Sequence, residues 1–329
     1  MPWKETKDPY KIWVSEIILQ QTRVAQGKDY YLRFINQFPD IDSLASAEQT
    51  EVLKQWEGLG YYSRARNLQQ AAQDIIHRFN GVFPTKYDDI ISLKGIGPYS
   101  AAAISSFAFE QPYAVVDGNV QRVLSRHFEI LLAIDSTEGK KRIALLAQKL
   151  LDKKQPAQFN QAIMDFGALI CTPKAPKCET CPLSKSCRAL KNNIVKEIPF
   201  KSKKVKKTDR FYYFFLIHKE DHIVIQRRPN IGIWAGLHEL PNIESHSALS
   251  HAEILSKINF EEKKSIKLIH SIQHKLTHLN LNITLYHLIN SSQYKCHKNQ
   301  RLEKVSELST FAFPKPLKNF LDIFFMNNI

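Results

Sequence analysis

The sequence predicts two domains in series, an all-α domain followed by an α+β domain. Three observations carry this prediction. The chain has 329 residues, more than one typical core holds. Apolar residues recur at three- and four-residue spacing through residues 1–195, and in short continuous or alternating runs beyond 210. Between these two regimes, PFKSKKVKKTDR (199–210) is basic and aperiodic, the signature of a linker.

Taken in order, the helical period covers 10–26, 48–57, 64–79, 99–108, 118–131 and 138–151, with turn residues between them. Past the linker, FYYFFLI (211–217), HIVIQRR (222–228) and LNITLYHL (281–288) read as strands. RPNIGIWAGLHELP (228–241) reads as short strands and loops, and one helix is expected around 247–258. No internal repeat is evident.

Composition narrows the function. Residues 1–150 carry 18 Lys/Arg against 17 Asp/Glu, whereas 151–329 carry 28 against 15. Within 151–210 alone the balance is 14 to 5, a local excess that points to a polyanion such as nucleic acid. MPWKETKDPY has neither the basic start nor the apolar run of a secretory signal. FYYFFLI is far shorter than the roughly 20 apolar residues of a membrane span. Five cysteines are too few for a disulfide framework in a chain this long. A soluble, cytoplasmic protein is the expectation.

Three local patterns carry chemistry. On the helix at 10–26, Glu16 lies about 40° from Ile12 on the wheel and Leu19 about 20° on the other side, so the carboxylate falls within the apolar arc. Burial there raises its pKa and suits it to hold a proton as a general acid, although a core Glu paired with an arginine fits the same pattern. In LKGIGPYSAAAI (93–104), Gly95 and Gly97 precede a helix start, where glycines give positive φ and close backbone approach, and free amides bind phosphate. The alternative is an ordinary turn. A dinucleotide fingerprint fails because its third glycine position is Ser100. Cys171, Cys178, Cys181 and Cys187 give C-x6-C-x2-C-x5-C, a complete thiolate set for a [4Fe–4S] cluster or a structural zinc, and the spacing alone does not choose between them. Lys174 and Lys177 make the same loop a candidate phosphate platform.

These motifs have a familiar order. WVSEIILQQT (13–22), GLGYYSRARNL (58–68), LKGIGPYSAAAI, VVDGNVQRVLSR (115–126), FNQAIMDFGALIC (159–171) and the cysteine loop together resemble the MutY-type adenine DNA glycosylases of the endonuclease III, helix-hairpin-helix superfamily. IGIWAGLHELP (231–241) resembles that family's Nudix-like C-terminal domain. The resemblance implies a helical glycosylase domain over 1–198, with a six-helix barrel lobe at about 6–113 and a cluster lobe at about 114–195. A basic linker would come next at 199–209, then a lesion-recognition domain at 210–329.

By position, the resemblance implies that Glu16 protonates adenine N7 and that Asp117, assisted by Asn119, stabilises the sugar cation. Tyr99 stands where bifunctional relatives carry a Schiff-base lysine, which implies base removal without strand cleavage. Gln20, Gln21 and Tyr61, with Tyr62 beside it, would wedge the duplex and meet the opposite base. Leu19 and Gln161 would line the adenine pocket. The four cysteines would hold a [4Fe–4S] cluster. Leu276-Thr277-His278 replaces the family's usual Phe-Ser-His, which implies weaker discrimination of 8-oxoguanine from guanine. The implied partner is double-stranded DNA with an A:8-oxoguanine or A:G mispair, bound by a monomer in a bacterial cytoplasm and nucleoid. Three rivals are an oxidised-pyrimidine glycosylase with lyase activity, a Nudix hydrolase and a non-catalytic DNA-binding module. Tyr99 opposes the first, and the second lacks clustered acids, since 242–260 offers only Glu244, Glu253 and nothing between. The presence of both carboxylates opposes the third.

Overall fold

The computed structural model describes residues 1–22, 24–202, 207–258, 266–288 and 294–326. Part of the expected linker, 203–206, lies outside them. Helices α1 (Pro9–Leu19), α2 (Val24–Gln37), α3 (Ile41–Ser46), α4 (Gln49–Gln55), α5 (Ser63–Phe79), α6 (Tyr87–Ser92), α7 (Pro98–Phe109), α8 (Gly118–Phe128), α9 (Thr137–Leu150), α10 (Pro156–Leu169) and α11 (Arg188–Lys191) come first. Strands β1 (Thr208–Lys219), β2 (His222–Arg227), β3 (His238–Glu239) and β4 (Asn242–Ser245) precede α12 (His251–Lys257). Strands β5 (Ile266–Lys275), β6 (Leu279–Leu288) and β7 (Gln300–Lys304) precede α13 (Lys315–Met326).

By packing, the chain forms two compact units, 1–47 with 67–204, and 48–66 with 205–329. Residues 48–66 therefore group with the strands, far from them in sequence. Phe313 N donates to Glu57 at 2.8 Å, Lys54 donates to the Phe311 carbonyl at 3.0 Å, and Arg66 donates to the Ala235 carbonyl at 2.6 Å.

The first unit differs from the sequence reading in one place that matters. The expected helix at 10–26 is two helices. It stops at Leu19, Gln21 turns left-handed at φ +57°, and Thr22 N closes the turn onto the Leu19 carbonyl. Asp8 caps the start through Tyr10 N and Lys11 N, and Trp13, Val14 and Ile18 are fully buried. The helical wheel thus holds for Glu16, while Gln20 and Gln21 sit on the turn.

In the second unit, seven strands among the described residues form a mixed sheet ordered β3-β2-β1-β6-β5, with β4 on β1 and β7 on β2. β1 runs parallel to β6, pairing Tyr212 with Ile283 and Phe214 with Leu285. FYYFFLI is continuously apolar because both faces of β1 are covered. Tyr212, Phe214 and Leu216 pack with Leu317 and Leu321 of α13. Tyr213, Phe215 and Ile217 pack with Ile254 of α12. Only His238–Glu239 of RPNIGIWAGLHELP is a strand, and the rest is loop.

Candidate active site

In the first unit three elements bring the predicted acid–base groups together. Glu16, on the inner face of α1, is 8% exposed. The Tyr99 hydroxyl, on the first turn of α7, donates to its carboxylate. Burial is the main cause that raises the Glu16 pKa; the Tyr99 hydrogen bond opposes it, the negative charge of Asp117 adds to it, and the net result is a rise from 4.5 to about 7. Tyr99 itself is pushed far up by burial and by the Glu16 charge, so it stays a neutral donor.

Asp117 caps α8, accepting from Val120 N at 2.7 Å, while its other oxygen accepts from Asn119 Nδ2 at 2.7 Å. Both oxygens are thus fixed by polar donors, where Glu16 is held by burial. Two carboxylates in opposite environments are what acid-assisted cleavage of a glycosidic bond uses. Asn160 of α10, 1% exposed, anchors the stretch before Asp117, accepting from Val115 N at 3.0 Å and donating to the Tyr113 carbonyl at 2.9 Å.

The other predicted residues of this unit are more dispersed. Gln20 donates to Ser100 Oγ at 3.2 Å beside Tyr99, whereas Gln21 is exposed on its left-handed turn. Leu19 is half-buried and packs over Gly27 of α2. Gln161 donates to Asp165 at 2.9 Å, and Asp165 pairs with Lys4 at 3.2 Å. In the α6–α7 hairpin, Gly95 needs to be glycine twice over. Its φ is +79°, and a Cβ would stand 2.6 Å from Asn67 Cβ. Gly97 corrects the expectation for the second glycine, since at φ −100° it is extended, with nothing near a Cβ.

The four cysteines are free and half-buried on the loop after α10. Burial pushes the Cys178 thiol up, and the charges of Cys171, Cys181 and Cys187 push it further, so each of the three bears on it. Arg126 grips the loop, donating to Cys171 Sγ at 3.4 Å, the Thr172 carbonyl at 2.7 Å and the Pro173 carbonyl at 3.1 Å. Lys174 and Lys177 are exposed beside it. Among the described residues no three His, Cys, Asp or Glu side chains converge as a single metal ion requires.

Arg122 was not anticipated. It donates to the Cys171 carbonyl at 2.7 Å, the Gly167 carbonyl at 2.6 Å and Asn119 Oδ1 at 2.8 Å. Its signal in the sequence is a charge on the apolar stripe of α8, where Val123 and Leu124 are buried, repeated four residues on at Arg126.

In the second unit, Tyr61 is 47% exposed at φ +47°, and its hydroxyl shares a hydrogen bond with Thr277 Oγ1 at 2.5 Å. Tyr62 does not fit the wedge role expected of it: it is 7% exposed, and its hydroxyl accepts from Gly58 N. Arg64 lies over the Tyr61 ring and donates to the Gly60 carbonyl, steadying the turn. Leu276-Thr277-His278 forms the β5–β6 turn, closed by Leu276 N on the Leu279 carbonyl, with Thr277 and His278 exposed. Tyr61 and this turn line one groove of about 400 Å³. Three acids of this unit make local structural contacts. Glu239 and Glu244 both pair with Arg228, at 2.5 and 2.6 Å, and Glu253 caps α12 through Ser250.

Residues 14–153 match the model of the HhH-GPD superfamily base excision DNA repair proteins, and 212–322 match the NUDIX domain. The adenine DNA glycosylase of Buchnera aphidicola subsp. Baizongia pistaciae is 38% identical over 312 residues, covering 92% of this chain and 85% of that one. The chain belongs to the adenine DNA glycosylases. The family likeness extends to the mouse adenine DNA glycosylase, 43% identical over 198 residues, 57% of this chain and 38% of the mouse protein. Among solved structures, a thermostable thymine-DNA glycosylase superposes with a TM-score of 0.54 at 32% identity, covering 58% of this chain and 88% of its own. An endonuclease III–DNA complex, at TM-score 0.50 and 24% identity over 56% of this chain and 86% of its own, shares the fold. As in the family, a helical glycosylase domain precedes a Nudix-like domain with a mixed sheet. Among the described residues no helix is long and apolar enough to cross a membrane.

Proposed function

We propose that this glycosylase removes adenine mispaired with 8-oxoguanine or guanine, by flipping the nucleotide out and hydrolysing its N-glycosidic bond without cutting the strand. The observation that carries the reading is the pair Glu16 and Asp117, one buried and proton-holding, the other held by hydrogen bonds from Asn119 and a helix N-terminus. Glu16 gives its proton to adenine N7 as the C1′–N9 electrons leave with the base. Asp117, with Asn119, faces the developing sugar cation until water adds at C1′. Leu19 and Gln161 border the base. Gln20, Gln21, Tyr61, Gly95, Gly97, Lys174 and Lys177 contact the duplex, and Thr277 and His278, with Leu276, read the opposite base. The partner is mispaired duplex DNA, and the protein acts as a monomer on the nucleoid.

The test is single-turnover release of adenine from duplexes with 8-oxoguanine, guanine or thymine opposite. Release is expected from the first two, and a preference for an oxidised pyrimidine would overturn the reading. Because Tyr99 offers no amine, the strand should stay intact until alkali or heat is applied. A borohydride-trapped adduct lost on replacing one lysine would show lyase chemistry instead.

Cys171, Cys178, Cys181 and Cys187 are the residues to hold a [4Fe–4S] cluster, which when bound would staple the loop between α10 and α11. Their donor set supports it: four free thiols on one loop, mutually felt at Cys178, with Arg126 donating to a sulfur and offsetting thiolate charge. Native protein is expected to carry iron and sulfide at about four each per chain. Stoichiometric zinc without visible absorbance would overturn the assignment.

A further inference from the structure

The groove beside Tyr61 has a wall that the proposed chemistry leaves unused. Its lining includes Tyr61, Leu276 and Thr277 on one part, and Trp234, His274 and Lys315 on another. The turn bearing Thr277 contributes Leu276 and the polar imidazole of His278, and the widest apolar ring on the lining is Trp234.

Trp234 is held there against its own preference. At φ +56° it is a bulky side chain in the left-handed region, a conformation that persists only where the surroundings impose it. The imposition is visible on both sides. Gly232 and Gly236, two residues away in each direction, are also left-handed at φ +77° and +78°. Arg228 Nε donates to the carbonyl of Ile233, just before it, at 3.2 Å, and Arg66 to the carbonyl of Ala235, just after it, at 2.6 Å. Arg228 is itself 7% exposed and locked by Glu239 and Glu244. Two arginines therefore clamp the peptide groups flanking one tryptophan. The ring stands 5.7 Å from Tyr212 and 6.4 Å from His274, which fixes its tilt.

Core packing alone does not need such an arrangement, since an extended residue would bury an indole without strain. A rigid aromatic face beside two hydroxyls, with Lys315 on the same wall, suits a heteroaromatic base attached to phosphate. We infer that Trp234 is the surface against which the purine opposite the excised adenine packs, supplying grip on either purine while Thr277 and His278 read its edge. This rests on the proposed function.

The experiment compares Trp234→Leu, which keeps apolar volume, with Trp234→Phe, which keeps a ring. Affinity is measured for duplexes with 8-oxoguanine, guanine or an abasic site opposite the adenine. Leucine is expected to weaken binding about tenfold opposite both purines, as loss of base–aromatic stacking does, with no change opposite the abasic site, and phenylalanine to restore most of it. A folded Trp234→Leu protein with wild-type affinity for both purines, or with an equal loss opposite the abasic site, overturns the inference. Should leucine unfold the domain, indole emission decides: the difference between wild type and Trp234→Phe should be quenched on adding lesion duplex, and an unquenched difference overturns it. Wild-type protein that releases no adenine shows instead that the underlying reading is wrong.

Discussion

Glu16→Gln is expected to abolish base excision and leave mispair binding in place, with a loss of about 10²–10⁴-fold, the range that general acid catalysis supplies. The reason lies in what holds the proton. Burial, with the Asp117 charge behind it, brings Glu16 up to about 7. A group that acts only when protonated gives a rate that falls as pH rises through about 7, and that limb should vanish from any residual activity of the variant. The same shift acts on stability. Between 4.5 and about 7 the folded chain binds this proton more tightly than the unfolded chain, so stability drops as pH rises through that window. Above the window, wild type carries a buried charge costing on the order of 3 kcal/mol. Glutamine carries no such charge and still accepts from Tyr99. Glu16→Gln should therefore be inactive yet melt higher than wild type at about pH 8. Wild-type excision rates would sink the assignment outright, and a lower melting temperature would sink its electrostatic cause.

That much was legible because Glu16 sits in the middle of an apolar arc, where helical periodicity is a strong signal. The Asp117–Asn119 pair was legible only through resemblance, since VVDGN has no periodicity of its own. The break after Leu19 was not readable. Gln20 and Gln21 suit a helix well enough, and the left-handed turn at Gln21 reflects tertiary packing overriding local propensity. Tyr61 and Tyr62 are identical in sequence terms, and burial alone separates them. The transfer of 48–66 to the second unit depends on contacts such as Glu57 with Phe313, more than 250 residues apart, which no local pattern encodes. β5 escaped because it is an edge strand, largely exposed, whose register shifts between Leu268 and His270 and so breaks the alternation. Leu276-Thr277-His278 was legible only through resemblance, and its pairing with Tyr61 needed the fold.

The second large effect is expected at Arg122, which touches neither the acid nor the base. One guanidinium ties the Cys171 and Gly167 carbonyls, at the foot of the cysteine loop, to Asn119 Oδ1 and the Gly118 carbonyl at the head of α8. Asn119 in turn donates to Asp117. Gly167 packs so closely that a Cβ there would stand 2.7 Å from Asn119 Cβ, so the two helices have no slack at this point. Arg122→Leu strands these acceptors in a site where the arginine was 8% exposed, and frees Asn119 to rotate away from Asp117. Misplacement by about 1 Å at a reacting group costs on the order of 10²-fold. Excision should fall by at least that factor, and iron content should fall with it, because the same side chain holds the Cys171 end of the loop. Lysine has one charge but no planar fork, so Arg122→Lys should recover the Asn119 contact or the Cys171 contact, but not both. The two readouts, single-turnover rate and iron per chain, then separate in the lysine variant while failing together in the leucine variant. Wild-type rates and full iron in Arg122→Leu would mean that the carboxylate and the cysteine loop are held independently, each by its own helix.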